Sequence, residues 1–369
     1  MRTTVAIVGG GLSGLYAAHS LQQVGVDFQL FEARERFGGR ILSVDASGRP
    51  SPDGFDLGPS WLWPGMHPRM AQIAEGLGLD SFAQYSDGDV VVERSNSGTP
   101  QRFPLMRQEP QSMRLVGGTG TMVSALVNAL PRERLHRGTR VNRVTMKENH
   151  LALSLVAGGG SREVEAEQVI LALPPRLLAS TISFEPALED ETLEVWGQTP
   201  TWMAPHAKFF ALYGEAFWRD SGLSGTAQSG VGPLVEIHDA TTASGAAALF
   251  GFVGLNRTQR MAVGEETLVR ASVAQLARLF GDQAARPWAT LIKDWAADFL
   301  TSTDADQSPE GHPVPRHGPW VSGAWAQRMS LAGCETSITD PGYLAGALDA
   351  AERAADETMA RLGQRGRKT

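Results

Sequence analysis

The chain has 369 residues, of which 42% are hydrophobic and 20% charged, with a formal net charge of −7. That length suits roughly two domains, and the composition can bury a substantial core. The acidic balance excludes a general binder of nucleic acid or of anionic membrane, and the single cysteine, Cys334, excludes an intrachain disulfide and a thiolate zinc site. With one thiol, a reducing, cytoplasmic compartment is the natural expectation.

At the N-terminus, Arg2 and the apolar runs Val5 to Val8 and Leu12 to Val24 have the outline of a short signal peptide. Cleavage there would remove the most informative stretch of the chain, so the segment is read as part of the fold. Val5-Ala6-Ile7-Val8 predicts a central parallel strand buried on both faces. It runs into Gly9-Gly10-Gly11-Leu12-Ser13-Gly14, a G-x-G-x-x-G turn. Leu12, Leu15, Ala18 and Leu21 then recur at helical spacing until Gly25 ends the helix. A second strand, Phe28 to Phe31, ends at Glu32, about 20 residues after the turn. The glycines suit a tight turn, a close approach of pyrophosphate and packing of helix on strand, and the helix N-terminus offers unpaired N–H groups to phosphate. Glu32 is placed to bind ribose hydroxyls and to disfavour a 2′-phosphate. The turn alone does not distinguish NAD from FAD.

The next residues narrow the choice. Glu32-Ala33-Arg34-Glu35-Arg36-Phe37-Gly38-Gly39-Arg40 resembles the extended signature of the flavin amine oxidase family, which includes monoamine and polyamine oxidases. Physically, Gly38 and Gly39 let the backbone pass close to a cofactor, and Arg40 brings a fixed positive charge to a diphosphate. The resemblance implies FAD, with Gly9, Gly11, Ser13, Gly14, Glu32, Ala33, Arg34, Gly38, Gly39 and Arg40 among its contacts. It also implies an α/β fold, in which an FAD-binding Rossmann-type domain (parallel sheet plus three-stranded meander) is interleaved with an α+β substrate domain. The expected division is 1–75, 111–180 and 294–369 for the FAD domain, and 76–110 and 181–293 for the substrate domain.

Farther along, Phe55 to Trp61 is similar to the family segment that passes the flavin ring, implying contacts from Gly58, Pro59, Ser60 and Trp61. Met113 to Leu126, with Gly117-Gly118-Thr119-Gly120, resembles its glycine turn before a helix. Arg140 to Val144, Leu151 to Val156 and Val164 to Leu173 read as three strands, Gly158-Gly159-Gly160 making the second connection. In the family the residue at Val141 contacts adenine through its backbone. Leu173-Pro174-Pro175 should break the third strand and send the chain to the second domain.

There, His206 to Tyr213 reads as a strand, and a lysine in such a strand is ordinarily an edge or surface residue. Its context, through Phe217-Trp218-Arg219 and Ser224-Gly225, resembles the family pattern whose lysine bonds a water at flavin N5, which implies a catalytic Lys208. Trp295, in Lys293-Asp294-Trp295, matches the family tryptophan beside the ring. In the last block, Leu331 to Ser337 and Asp340 to Ala347, the resemblance assigns cofactor contacts to Gly333, Glu335, Gly342, Tyr343 and Leu344, and a substrate-facing catalytic position to Tyr343. Asp340 and Pro341 suit the N-cap and first position of a helix, and Tyr343, Leu344, Ala347, Leu348, Ala351 and Ala355 its buried face. Arg361 to Thr369 reads as a frayed tail.

Two departures stand out. Membrane-bound relatives attach FAD to a cysteine, but Glu310-Gly311-His312-Pro313-Val314-Pro315 has none, and Cys334 replaces a threonine of the final block, so noncovalent FAD is expected. The animal enzymes frame the amine between two tyrosines; Tyr343 matches one, the other falls near His312 or Pro313, and Trp61, Trp202 and Trp320 are candidates for another wall. No metal site, nucleic-acid partner or membrane anchor is expected, since no apolar stretch approaches the ~20 residues of a span. The protein is expected to be a monomer or homodimer. The leading expectation is oxidation of a small amine by hydride transfer to FAD, with reoxidation by oxygen. An FAD-dependent desaturase or protoporphyrinogen-oxidase-like enzyme, a redox-neutral flavin mutase and a silent FAD-binding module are the alternatives. A mutase would need an arginine-rich pocket; the arginines between Tyr85 and Arg114 read as a solvated face.

Overall fold

The computed structural model describes residues 1–95, 98–104, 110–307 and 311–366, with side chains to 363. The fold is α/β, as expected. Strand β1 (Arg2–Val8), helix α1 (Leu12–Gln23) and strand β2 (Phe28–Phe31) open the chain. Strand β1 is central: it pairs in parallel with β2 on one side and with the strand Gly160–Leu171 on the other. Its β-branched run meets neighbours on both faces, and Val5, Ala6 and Ile7 are fully buried.

Around this core the first sheet runs Ser183–Glu185, Arg140–Met146, Leu151–Ala157, Gly160–Leu171, β1, β2 and Leu135–His136. The strands from Arg140 to Leu171 form the antiparallel meander, turned by Gly158 and Gly159, both at positive φ. Gly160–Leu171 does double duty. Its first half pairs with Leu151–Ala157, and its last three residues pair in parallel with Met329–Leu331, returning the chain's final block to the sheet.

Three expectations are corrected. The chain does not leave the first sheet at Leu173. Pro175 instead takes a first-turn position of the helix Pro175–Thr181, Ser183–Glu185 pairs with Arg140–Met146, and Trp196 of the helix Asp190–Gln198 is fully buried in the core of that sheet. The C-terminal helix starts at Leu344 and not at Pro341. Asp340 does not cap it, because Pro341 and Gly342 form a turn, Gly342 is at φ +88°, and the Asp340 carboxylate pairs with His67. The helix also runs through Gly366, so most of the expected tail is helical: Arg361 donates to Ser330 Oγ, while residues 367–369 lie outside the described residues. Ala347, Ala350, Ala351, Ala354 and Ala355 are buried on this helix, and their small size lets it pack closely against α1.

Among the described residues the second sheet has seven strands in the order Ala289–Asp294, Ala207–Tyr213, Ala247–Val253, Leu234–Asp239, Leu223–Ser229, Asp89–Glu93 and Gln101–Pro104. One face, with Phe209, Ala211, Ile237 and Leu249, buries against Leu268, Leu276 and Phe280 of the helix Glu265–Phe280. The other, with Phe210, Leu212 and Phe250, packs on Val44, Phe55 and Leu57. The Phe-Trp-Arg segment braces a corner, since Trp218 Nε1 and Arg219 Nε both donate to Asp239 Oδ2 at 2.8 Å. No helix among the described residues is long and apolar enough to cross a membrane.

Candidate cofactor and substrate cavity

A cavity of about 560 Å³ is bordered by both sheets. From the first come Gly9, Gly11, Ser13, Glu32, Ala33, Arg34, Gly38, Gly39, Arg40 and Val141; from the intervening segment Gly58, Pro59, Ser60 and Trp61; from the second sheet and the final block Lys208, Trp295, Gly333, Gly342, Tyr343 and Leu344. Of the residues expected at the site, only Gly14 and Glu335 do not line it.

The glycines divide into two groups. A Cβ on Gly14 would lie 1.9 Å from Gly9 O, one on Gly9 2.6 Å from Ala172 O, and one on Gly58 1.9 Å from Arg40 O, so these three are required by the protein's own packing. A Cβ on Gly11 would find nothing nearer than Gly39 Cα at 4.0 Å, and one on Gly39 would touch only Gly11 Cα at 3.4 Å. Gly11 and Gly39 thus leave room inside the cavity. Gly11 is also the N-cap of α1, and no side chain caps that helix. The Glu32 carboxylate is buried at the end of β2, accepting from Gly10 N at 2.7 Å and Arg34 N at 2.8 Å.

The arginines that follow Glu32 have separate tasks. Arg34 donates to Asp298 Oδ1 and Thr301 Oγ1, while Lys293 donates to Asp298 Oδ2. Burial works against the Asp298 carboxylate, but Arg34 and Lys293 outweigh it and hold its pKa below the usual range. Arg36 clamps the turn through the carbonyls of Phe37, Gly39 and Ile41. Arg40 donates to Glu335 Oε1 at 2.6 Å, to Trp202 O and to Cys334 Sγ. Glu335 is fully buried and its Oε2 has no partner among the described residues, an unmet acceptor beside the cavity wall. Burial pushes the Cys334 thiol up to about 12, so it is neutral and inert as a nucleophile.

Lys208 is neither an edge nor a surface residue. Its strand is paired on both sides, it is 4% exposed, and Nζ donates to Gly58 O at 2.6 Å, Ser60 Oγ at 2.9 Å and Asp56 O at 3.3 Å. The ammonium lies 4.5 Å from the centre of the Phe250 ring. Burial lowers its pKa to about 7, against the opposing pull of Asp56. Burial raises the Asp56 carboxyl in turn; Asp56 Oδ1 accepts from Ser43 and Thr119 and so ties the Gly117–Gly118 turn to this segment, while Oδ2 has no partner among the described residues. Arg114, expected on a solvated face, is buried because its guanidinium satisfies the carbonyls of Ala240 and Thr241. Arg94 and Arg102 are exposed, and Arg107 lies outside the described residues.

Trp295 is buried, its Nε1 donating to Leu57 O at 2.9 Å with Lys293 over its ring. Tyr343 does not face a second ring across a gap. His312 stacks on it with ring centres 4.4 Å apart and stacks on Trp202 at 3.5 Å, giving three rings in a column. The neighbouring Glu310 lies outside the described residues. Of the other wall candidates, Trp61 and Trp202 line the cavity, but Trp320 is buried in the core of the first sheet. Sequence reasoning missed His206 and Glu236, which also line it. The local string Val-Glu-Ile-His reads as an alternating, half-solvated strand and carries no signal for a cavity.

The uncapped start of α1 and the space at Gly11 and Gly39 fit a diphosphate-bearing dinucleotide, whereas the unmet Glu335 oxygen is an acceptor suited to a hydroxyl donor and not to phosphate. Comparison with known proteins agrees. Residues 91–359 match the family model for flavin containing amine oxidoreductase, and residues 7–77 match that for an NAD(P)-binding Rossmann-like domain. The flavin-containing amine oxidase A of Sus scrofa is 23% identical over 99% of this chain and 86% of its own length. Two solved structures share the fold: cyclohexylamine oxidase from Brevibacterium oxydans, at 21% identity and a TM-score of 0.80, and a wild-type putrescine oxidase bound to putrescine, at 20% and 0.78. Each covers 98% of this chain and 99% of its own.

Proposed function

The chain belongs to the family of flavin-containing amine oxidoreductases, and from that premise we propose that it holds FAD noncovalently and oxidises a small amine with oxygen as the final acceptor. The observation that carries this reading is the meeting, in one cavity, of the Gly11–Gly39 cradle with buried Lys208 and the Tyr343 wall. The putrescine and cyclohexylamine oxidases among the structural neighbours support an amine as substrate class. Bound FAD would supply the two-electron oxidant that accepts hydride from the carbon next to nitrogen. Two electrons and two protons leave the C–N unit, oxygen takes them up as hydrogen peroxide, and water converts the imine to a carbonyl compound and free amine.

The residues then have distinct parts. Glu32 would receive the ribose hydroxyls, the start of α1 with Ser13, Gly38 and Gly39 the diphosphate, and the Val141 backbone the adenine. Ala33 and Arg34 would border the adenosine end, Arg40 and Glu335 brace the wall through their ion pair, and Gly58 to Trp61 with Gly333, Gly342 and Leu344 would border the ring. Lys208, with Trp295 on the same wall, would hold a water at the reacting end, and Tyr343 would position the neutral amine; orientation and exclusion of water supply most of the rate. The first sheet in this reading serves the cofactor and the second the substrate. Noncovalent attachment is supported by the side chains present, since the neutral Cys334 thiol is held by Arg40 and His312 is locked between two rings.

The test is anaerobic addition of a panel of primary amines, secondary amines, polyamines and amino acids to the yellow holoprotein. Bleaching by an amine, followed by recolouring and peroxide on admitting air, is the expected result. If every amine leaves the bound flavin oxidised, the amine reading falls.

A further inference from the structure

One row of side chains crosses four strands of the second sheet. Lys293 pairs with Lys208, Lys208 with Phe252, and Phe252 with Glu236. Directly paired residues share a face, and Lys208, Phe252 and Glu236 all line the cavity. Two strand spacings put the Glu236 backbone roughly 10 Å from that of Lys208. The register shifts between Leu234 and Glu236, leaving Val235 as an extra residue, and Val235 and Glu236 both border the cavity. Such a bulge re-aims side chains that strict alternation would send to opposite faces.

Glu236 has capacity to spare. Its Oε1 accepts from His238 Nε2 at 2.6 Å, and its Oε2 has no partner among the described residues. The His238 bond holds the carboxyl below its usual range, so it is anionic at neutral pH. His238 is itself held, edge-on at 4.8 Å, by Trp61. Among the described lining residues the only other acid is Glu32, whose two oxygens accept backbone amides and which faces the cofactor end in the reading above. Between Lys208 and Glu236 the wall is Phe252, flanked by Trp61 at 6.5 Å, an apolar stretch suited to methylene groups.

We propose that Glu236 is a specificity-determining residue that receives the distal ammonium of an α,ω-diamine or polyamine while the other amine is oxidised at the Lys208 end. This rests on the amine-oxidase reading above. A monoamine of equal length would fill the same apolar stretch and leave Glu236 to water, losing a charge-assisted hydrogen bond.

The experiment compares hexamethylenediamine with hexylamine on the holoprotein, reading kcat/KM by oxygen uptake and flavin bleaching by stopped flow. The diamine should be favoured by about tenfold or more. Glu236→Gln, with its FAD content checked by the visible spectrum, should bring that ratio down by a similar factor, mostly through KM. Glu236→Leu should reverse it in favour of hexylamine. Equal use of the two amines by the parent protein would overturn the inference while leaving the amine-oxidase reading intact, as would a diamine preference that Glu236→Gln leaves unchanged. No bleaching by either amine, nor by any of the panel above, would overturn both.

Discussion

Lys208 is an amine placed where burial and charge oppose each other. Three acceptors and an aromatic face favour the ammonium, and burial favours the neutral amine, bringing the pKa to about 7. Because the folded value lies below the unfolded 10.5, the unfolded chain binds more protons between those two limits, and stability should rise with pH across that window. In Lys208→Met, urea titrations at several pH values should show a flatter slope there. The charge also bears on the proposed chemistry. After dithionite reduction, the holoprotein should react with oxygen more slowly as pH rises through about 7, and Lys208→Met should be slow throughout. A Met variant that reoxidises as fast as its parent removes Lys208 from that role. The identity of this lysine was legible in its sequence context, but its burial was not, because a lone lysine in an apolar strand reads equally well as a surface residue that snorkels.

At the scale of elements, the first strand–turn–helix unit separates glycines needed by the fold from glycines that leave space. Gly14→Ala would force a Cβ to 1.9 Å from Gly9 O, and should destabilise the protein by about 1–3 kcal/mol through overpacking. Gly11→Ala meets no protein atom nearer than 4.0 Å. It should leave the melting temperature of the FAD-free protein nearly unchanged but weaken FAD binding by about tenfold, roughly 1.4 kcal/mol. Fluorescence titration with FAD, set beside thermal melts, checks the contrast; equal effects of the two substitutions on melting would refute it. The motif predicted this element because turn, helix and strand lie within a short stretch and are governed by local geometry. The start of the C-terminal helix was less legible. Asp340 and Pro341 have the chemistry of a helix start, but Asp340 is drawn to His67 by a tertiary contact of 3.0 Å, and the helix begins only after the turn at Gly342.

For the whole molecule, one cavity joins two sheets whose strands interleave along the chain, so its occupancy should couple to the stability of both. FAD at about 100 times its dissociation constant should add roughly 2.7 kcal/mol, raising the melting temperature in a concentration-dependent way. Acid precipitation should release the yellow cofactor into the supernatant; flavin remaining with the pellet would mean a covalent link. The sequence by itself determined the α/β class, the dinucleotide turn with its acid at Glu32, and the family, because these depend on short-range spacing and on residue types that the local backbone demands. Only the tertiary structure decided that Arg114 is buried, that Trp320 belongs to a core while Trp202 borders the cavity, that His312 fills the space beside Tyr343, and that Glu236 reaches the cavity. Each of these depends on which strands pair, in what register, and on which face a side chain emerges. A shift of one residue, as at the Val235 bulge, changes that face without leaving a trace in composition or periodicity.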